Sequence, residues 1–212
     1  MNLLLLGATG LVGKNVLAQA LADSTVTSVV APTRRALASH PKLRNPVSDS
    51  LTSVLSDGFP DGIDGVICAL GTTIAKAGSK EAFREVDYQL PLSFAKSARD
   101  RNVGTFVLVT ASTANASSSI FYSKTKGEVE RDIERVGFPS LTIVRPGLIE
   151  GEREESRLLE SVGLRLMSLL GPVVPKKMRI NPAPVIAEAC LSAFRDGKPG
   201  VHYCLAESMV GA

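Results

Sequence analysis

Between Leu3 and Gly13 an apolar run opens into three evenly spaced glycines: Leu3-Leu4-Leu5-Leu6-Gly7-Ala8-Thr9-Gly10-Leu11-Val12-Gly13. Asn2 to Leu6 has the length and unbroken apolarity of a strand buried on both faces, and Val12 to Leu21 has helical spacing. The glycines therefore stand at a strand-to-helix turn. Each has its own task. Gly7 lets the backbone turn sharply, Gly10 leaves bare main chain for a pyrophosphate, and Gly13 lets the helix pack close to the strand. A helix beginning near Leu11 would aim its unpaired N–H groups and positive dipole end at phosphates. Gly7, Thr9, Gly10, Leu11, Val12 and Gly13 are the expected contacts on that side. The spacing differs by one position from the usual dinucleotide fingerprint, whose first two glycines lie closer.

The second strand bears on which dinucleotide. Val26 to Ala31 is apolar and β-branched, and it runs into Pro32-Thr33-Arg34-Arg35. An NAD site places a carboxylate here, about 20 residues past the glycines, to bond the ribose 2′-hydroxyl. No carboxylate is present. Thr33, Arg34 and Arg35 suit a 2′-phosphate instead, through charge-assisted bonds worth roughly 1.5–3 kcal/mol each. The expected cofactor is NADP(H), with Arg34 the leading contact.

About 110 residues further on stands Tyr122-Ser123-Lys124-Thr125-Lys126, at the start of a helix expected to run through Val136 and end at Gly137. At i and i+4, Tyr122 and Lys126 share one face, one turn apart. A free tyrosine titrates near 10, so proton transfer near neutrality needs a value roughly 3 pH units lower. A close ammonium supplies that most simply.

Taken together, these motifs resemble the short-chain dehydrogenase/reductase superfamily, in its extended or atypical branch. Leu70-Gly71-Thr72-Thr73, Lys76-Ala77-Gly78, Phe83 with Val86-Asp87, Tyr122 with Lys126-Gly127-Glu128, and Arg145-Pro146-Gly147 look like the Tat-interactive-protein group of that branch. The resemblance implies a doubly wound parallel α/β sheet, the Rossmann fold. It also implies cofactor contacts from Leu70, Gly71 and Thr72 after strand four and from Pro146, Gly147 and Leu148 after strand six. The family's paired serines after strand five would fall at Thr110 and Ala111, so Thr110, or Ser112 if the loop turns differently, is expected to polarise a substrate carbonyl. Asp87 takes the place of the family's helix asparagine. Arg153, in the charged cluster from Gly151 to Arg157, is the expected substrate-side anion contact.

The rest of the chain fits one domain over residues 1–212, with 147–212 as a small substrate-side part. Further elements are expected at Gly65 to Leu70, Lys80 to Arg101 unless Pro91 kinks it, Thr105 to Val109, Ser140 to Arg145, Ser156 to Leu170, Pro184 to Arg195 and Val201 to Leu205. Ala111 to Ser119 reads as a polar, flexible loop. A net charge of +3 with scattered basic residues does not imply nucleic acid. Three cysteines and two histidines at no ligand spacing imply no metal, and the opening leucines are too short for a signal or a membrane span. The expected location is the cytoplasm. The charged Tyr122 helix is unlike an apolar dimer seam, so a monomer is expected. Two functions compete: an NADP(H)-dependent oxidoreductase on a small carbonyl or alcohol, and an NADPH-binding sensor that reports to a protein partner.

Overall fold

The computed structural model describes residues 1–56, 59–149 and 180–210. Strands β1 (Asn2–Leu6), β2 (Ser28–Val30), β3 (Leu43–Arg44), β4 (Gly65–Cys68), β5 (Thr105–Val109), β6 (Ser140–Arg145) and β9 (Gly200–Leu205) form one sheet, all parallel, in the order β3-β2-β1-β4-β5-β6-β9. A second pairing joins β7 (Leu148–Ile149) to β8 (Ile180–Asn181). The helices are α1 (Leu11–Ala22), α2 (Leu51–Ser56), α3 (Ile74–Ala77), α4 (Lys80–Arg84), α5 (Leu90–Asp100), α6 (Phe121–Glu134) and α7 (Ala183–Asp196).

The continuous apolarity of β1 follows from its position. Leu3 and Leu5 enter one core with Val16 of α1 and Ile186 of α7; Leu4 and Leu6 enter the other with Phe94 of α5 and Ile133 of α6. A strand covered on both faces has no polar side to show. Between β1 and β4 the strand order reverses, and the crevice at the carboxyl ends of those two strands is where such sheets bind ligands.

The expected helix from Lys80 to Arg101 is present in three pieces. Between α4 and α5 lies a π-helical turn, Glu85–Gln89. Pro91 has no N–H, and its ring would collide with the carbonyl four residues back, which belongs to Asp87. The wider turn relieves that collision and turns Asp87 inward, where it is 1% exposed. The expected strand at Val26 to Ala31 is shorter, and the expected helix at Ser156 to Leu170 lies outside the described residues. Among the described residues, no helix is long and apolar enough to cross a membrane.

Candidate active site

The glycine turn has the geometry its spacing implied. Gly7 has φ +85°, and a Cβ there would stand 2.5 Å from the Ala69 carbonyl oxygen. A Cβ on Gly13 would stand 2.0 Å from the Gly7 carbonyl oxygen, so α1 approaches β1 more closely than any other residue permits. Gly10 differs. A Cβ there would meet only the Gly7 oxygen at 3.3 Å and the Ala69 oxygen at 4.0 Å. Apart from that one tight contact, Gly10 opens on a cleft of about 460 Å³ lined by Gly7, Thr9, Gly10, Arg34, Gly71 and Thr72 among others. Helix α1 carries no capping side chain and no acidic residue in its first turn, so the amides ahead of Lys14 face the turn without an anion of their own. A dinucleotide's phosphates fit this cradle.

The three residues expected at a 2′-phosphate separate. Arg34 is exposed and lines the cleft; Arg35 is exposed but does not line it. Thr33 is turned inward and 4% exposed, its hydroxyl donating to the Arg35 carbonyl at 2.6 Å and accepting from Asn45 Nδ2 at 2.8 Å. That hydroxyl shapes the loop, and no hydrogen is left on it for a phosphate.

Tyr122 and Lys126 sit at the head of α6, as their spacing required. The half-buried Tyr122 ring packs on Phe83 of α4, with ring centroids 5.7 Å apart. Lys126 points into the protein. Its ammonium lies 2.7 Å from Asp87 Oδ1, with the two side chains 6% and 0% exposed, and the other Asp87 oxygen accepts the Thr72 N–H at 2.9 Å. Burial works to lower Lys126, but the facing Asp87 carboxylate and Tyr122 outweigh it and raise it. On Asp87, burial pushes the carboxyl up against the pull of Lys126 and the Thr72 amide. Two donors at hydrogen-bond distance favour the charged form, and we take the pair as carboxylate and ammonium. Cys68, buried beneath it at the end of β4, is pushed up to about 12 by burial and stays a thiol.

Thr110 does not face the site as a donor. Its hydroxyl gives its hydrogen to Glu130 Oε1 at 2.5 Å, and Arg145 binds both Glu130 oxygens, at 3.0 and 2.5 Å. Ser112 is exposed three residues past β5, its N–H donating to the Pro146 carbonyl at 2.7 Å. The loop beyond it is tied rather than loose. Asn115 N–H donates to the Ser123 carbonyl at 2.9 Å, and a Cβ on Gly127 would lie 2.1 Å from Ala116 N, so loop and α6 touch backbone to backbone.

Gly147 N–H donates to Asn181 Oδ1 at 2.6 Å, while Asn181 Nδ2 donates to the Ala206 and Met209 carbonyls. Asn181 thus fixes the Pro146–Gly147 turn, a role no sequence motif announced; Leu148 is 45% exposed beside it. Arg153 lies outside the described residues. Among the described residues, no cluster of histidine, cysteine and carboxylate side chains could hold a metal.

A family model described as HIM1 matches residues 38–174. The chain is 40% identical over 177 residues to "Protein FMP52, mitochondrial" of Meyerozyma guilliermondii, covering 80% of this chain and 75% of that one. It is also 40% identical over 181 residues to "Protein fmp52, mitochondrial" of Emericella nidulans, covering 81% and 77%. These names overturn the expected cytoplasmic location: relatives at this identity are named mitochondrial proteins. Nothing in the composition of the chain pointed there. Among solved structures, MoeE5 in complex with UDP-glucose and NAD has a TM-score of 0.70 at 15% identity over 96% of this chain and 75% of its own. A short chain dehydrogenase family protein from Francisella tularensis has a TM-score of 0.68 at 15% identity, covering 98% of each chain. At that identity the likeness is one of fold: the chain has the α/β architecture of short-chain dehydrogenases and NAD-dependent epimerases.

Proposed function

The chain belongs to the HIM1 family, and from that premise we propose that it is an NADP(H)-dependent oxidoreductase acting on a small carbonyl or alcohol. The observation that carries this reading is one juxtaposition. Lys126, one turn on from the half-buried Tyr122, brings its ammonium to 3.7 Å from where a Cβ on Gly71 would stand, and Gly71 and Thr72 line a cleft whose glycine turn is shaped for phosphates. The resemblance to the Tat-interactive-protein group belongs to this proposal and rests on the same motifs. The relatives' names support a mitochondrial location.

In this reading Gly7, Gly10 and the amides opening α1 hold the pyrophosphate, and Arg34 bonds the 2′-phosphate. Leu70 to Thr72 and the Pro146–Gly147 turn border the nicotinamide end. When bound, the nicotinamide supplies or takes up a hydride. Tyr122 exchanges a proton with the substrate oxygen, and Lys126 fixes the nicotinamide ribose and bears on the phenol. Ser112 is the hydroxyl left to polarise the carbonyl, because Thr110 has given its hydrogen to Glu130. Arg153 is the proposed anion contact on the substrate side.

Fluorescence titration with NADPH and NADH tests the cofactor. NADPH is expected to bind more tightly, with Arg34→Ala losing about thirtyfold, the worth of one charge-assisted pair in solvent. Equal affinities in the parent protein would reject the 2′-phosphate assignment. A carbonyl-substrate screen tests turnover: Tyr122→Phe should cut any rate 10²–10⁴-fold while leaving NADPH affinity nearly intact.

One observation favours a second reading, an NADPH sensor with little turnover. Thr110 is engaged elsewhere and Ala111 is buried, so the usual pair of hydroxyls after strand five is lacking. Saturable NADPH binding with no turnover across the screen would select it.

A further inference from the structure

The ion pair under the site has a consequence for Tyr122. An ammonium lowers the pKa of a neighbouring phenol only as far as its field is not already answered. Lys126 faces a carboxylate that is wholly buried, at 2.7 Å, and that carboxylate is held from its other side by the Thr72 amide. The groups facing Lys126 from the elements packed around it are Asp87 from the π turn, Cys68 from β4 and Tyr122 from its own helix. Cys68 is a neutral thiol, so Asp87 carries the only charge opposed to the ammonium among these groups.

We propose that Asp87 is a positioning residue that balances the charge of Lys126, so that Tyr122 keeps its proton at neutral pH and the site is set to donate it. Two features support this beyond the pair itself. Asp87 is the buried residue of the π turn, and the Thr72 amide that clamps it belongs to the wall of the cleft. The carboxylate is built into the frame of the site. The inference rests on Tyr122 and Lys126 being the proton-transfer pair, and it sets the direction of that transfer: a substrate oxygen is protonated by the phenol, as reduction of a carbonyl requires.

The chain has three tyrosines and no tryptophan, so the near-ultraviolet band of tyrosinate can be followed without overlap. Tyr88 is raised by burial and by its bond to Asp132, and Tyr203 is pushed up to about 12 by burial and its bond to Glu134. Tyr122→Phe identifies which step of the titration belongs to Tyr122. The experiment is a spectrophotometric pH titration of the cofactor-free protein in four forms: parent, Asp87→Asn, Lys126→Met and the double variant. Asp87→Asn should move the Tyr122 midpoint down by about one pH unit or more, and Lys126→Met should move it up. The double variant, which buries no charge and folds without an unpaired ion, should fall within about half a pH unit of the parent. A Tyr122 midpoint unmoved by Asp87→Asn, or a double variant well above the parent, overturns the proposal. If Asp87→Asn does not fold, the double variant against the parent decides alone. No cofactor or substrate enters the measurement. The charge balance can therefore fail while NADPH binding and turnover stand, or hold in a protein that turns nothing over.

Discussion

Two glycines only three residues apart predict opposite failures. A Cβ on Gly13 would press main chain against main chain, 2.0 Å from the Gly7 oxygen, and no side chain can move aside to relieve it. Gly13→Ala should destabilise the fold by about 1–3 kcal/mol or more in urea unfolding. Gly10 has room toward the cleft, so Gly10→Val should remain folded by circular dichroism yet lose NADPH binding. Unchanged affinity in that folded variant would put the phosphates elsewhere. The glycine jobs were legible because close approach leaves a spacing in the sequence. The direction of Thr33 was not, because its hydroxyl is captured by Asn45, 12 positions on, and the Arg35 carbonyl. The role of Glu130 was half legible. It repeats the interval from Tyr122 to Lys126 and so shares their face, but its charge suggests a solvated surface rather than a bond to Thr110 and Arg145.

At the scale of elements, that Glu130 contact ties α6 to the ends of β5 and β6. Glu130→Ala would leave Arg145 without its partner and Thr110 without an acceptor, and should cost about 2–4 kcal/mol by urea denaturation. A second tie joins the end of α1 to α7. Asp23 accepts from the Thr25 hydroxyl and from Arg195, and these bonds, Thr25 first, hold it down to about 2. A carboxyl lowered on folding adds stability above its unfolded value of about 3.9 and loses it as pH falls toward 2. Asp23→Asn should therefore be less stable than the parent at neutral pH, and the difference should close between about pH 4 and pH 2. The long strands and helices were legible from periodicity to within a few residues. Strands β3, β7 and β8 were not, since two residues carry no pattern. Pro91 marked a break in its helix; that the break would be a π turn delivering Asp87 to Lys126 depended on packing far along the chain.

Across the whole molecule, the parallel sheet was readable from one strand. Four leucines in a row need cover on both faces, and α1 with α7 on one side and α5 with α6 on the other provide it. A ligand bound across β1 and β4 should stabilise all of these layers together. At one hundred times its Kd, NADPH adds about 2.7 kcal/mol, or roughly 5–10 °C in Tm for a chain of this size. NADH at the same concentration should give a smaller rise, and differential scanning fluorimetry would show an equal one if the 2′-phosphate were not read. The loop from Ser112 to Ile120 bears on time rather than stability. Pinned to the Pro146 carbonyl at one end and seated on Gly127 and Ser123 further on, it is held against the first turns of α6. In the proposed enzyme, a slow opening of that loop should then be missing from the approach to steady state, and stopped-flow mixing should show no lag on that account.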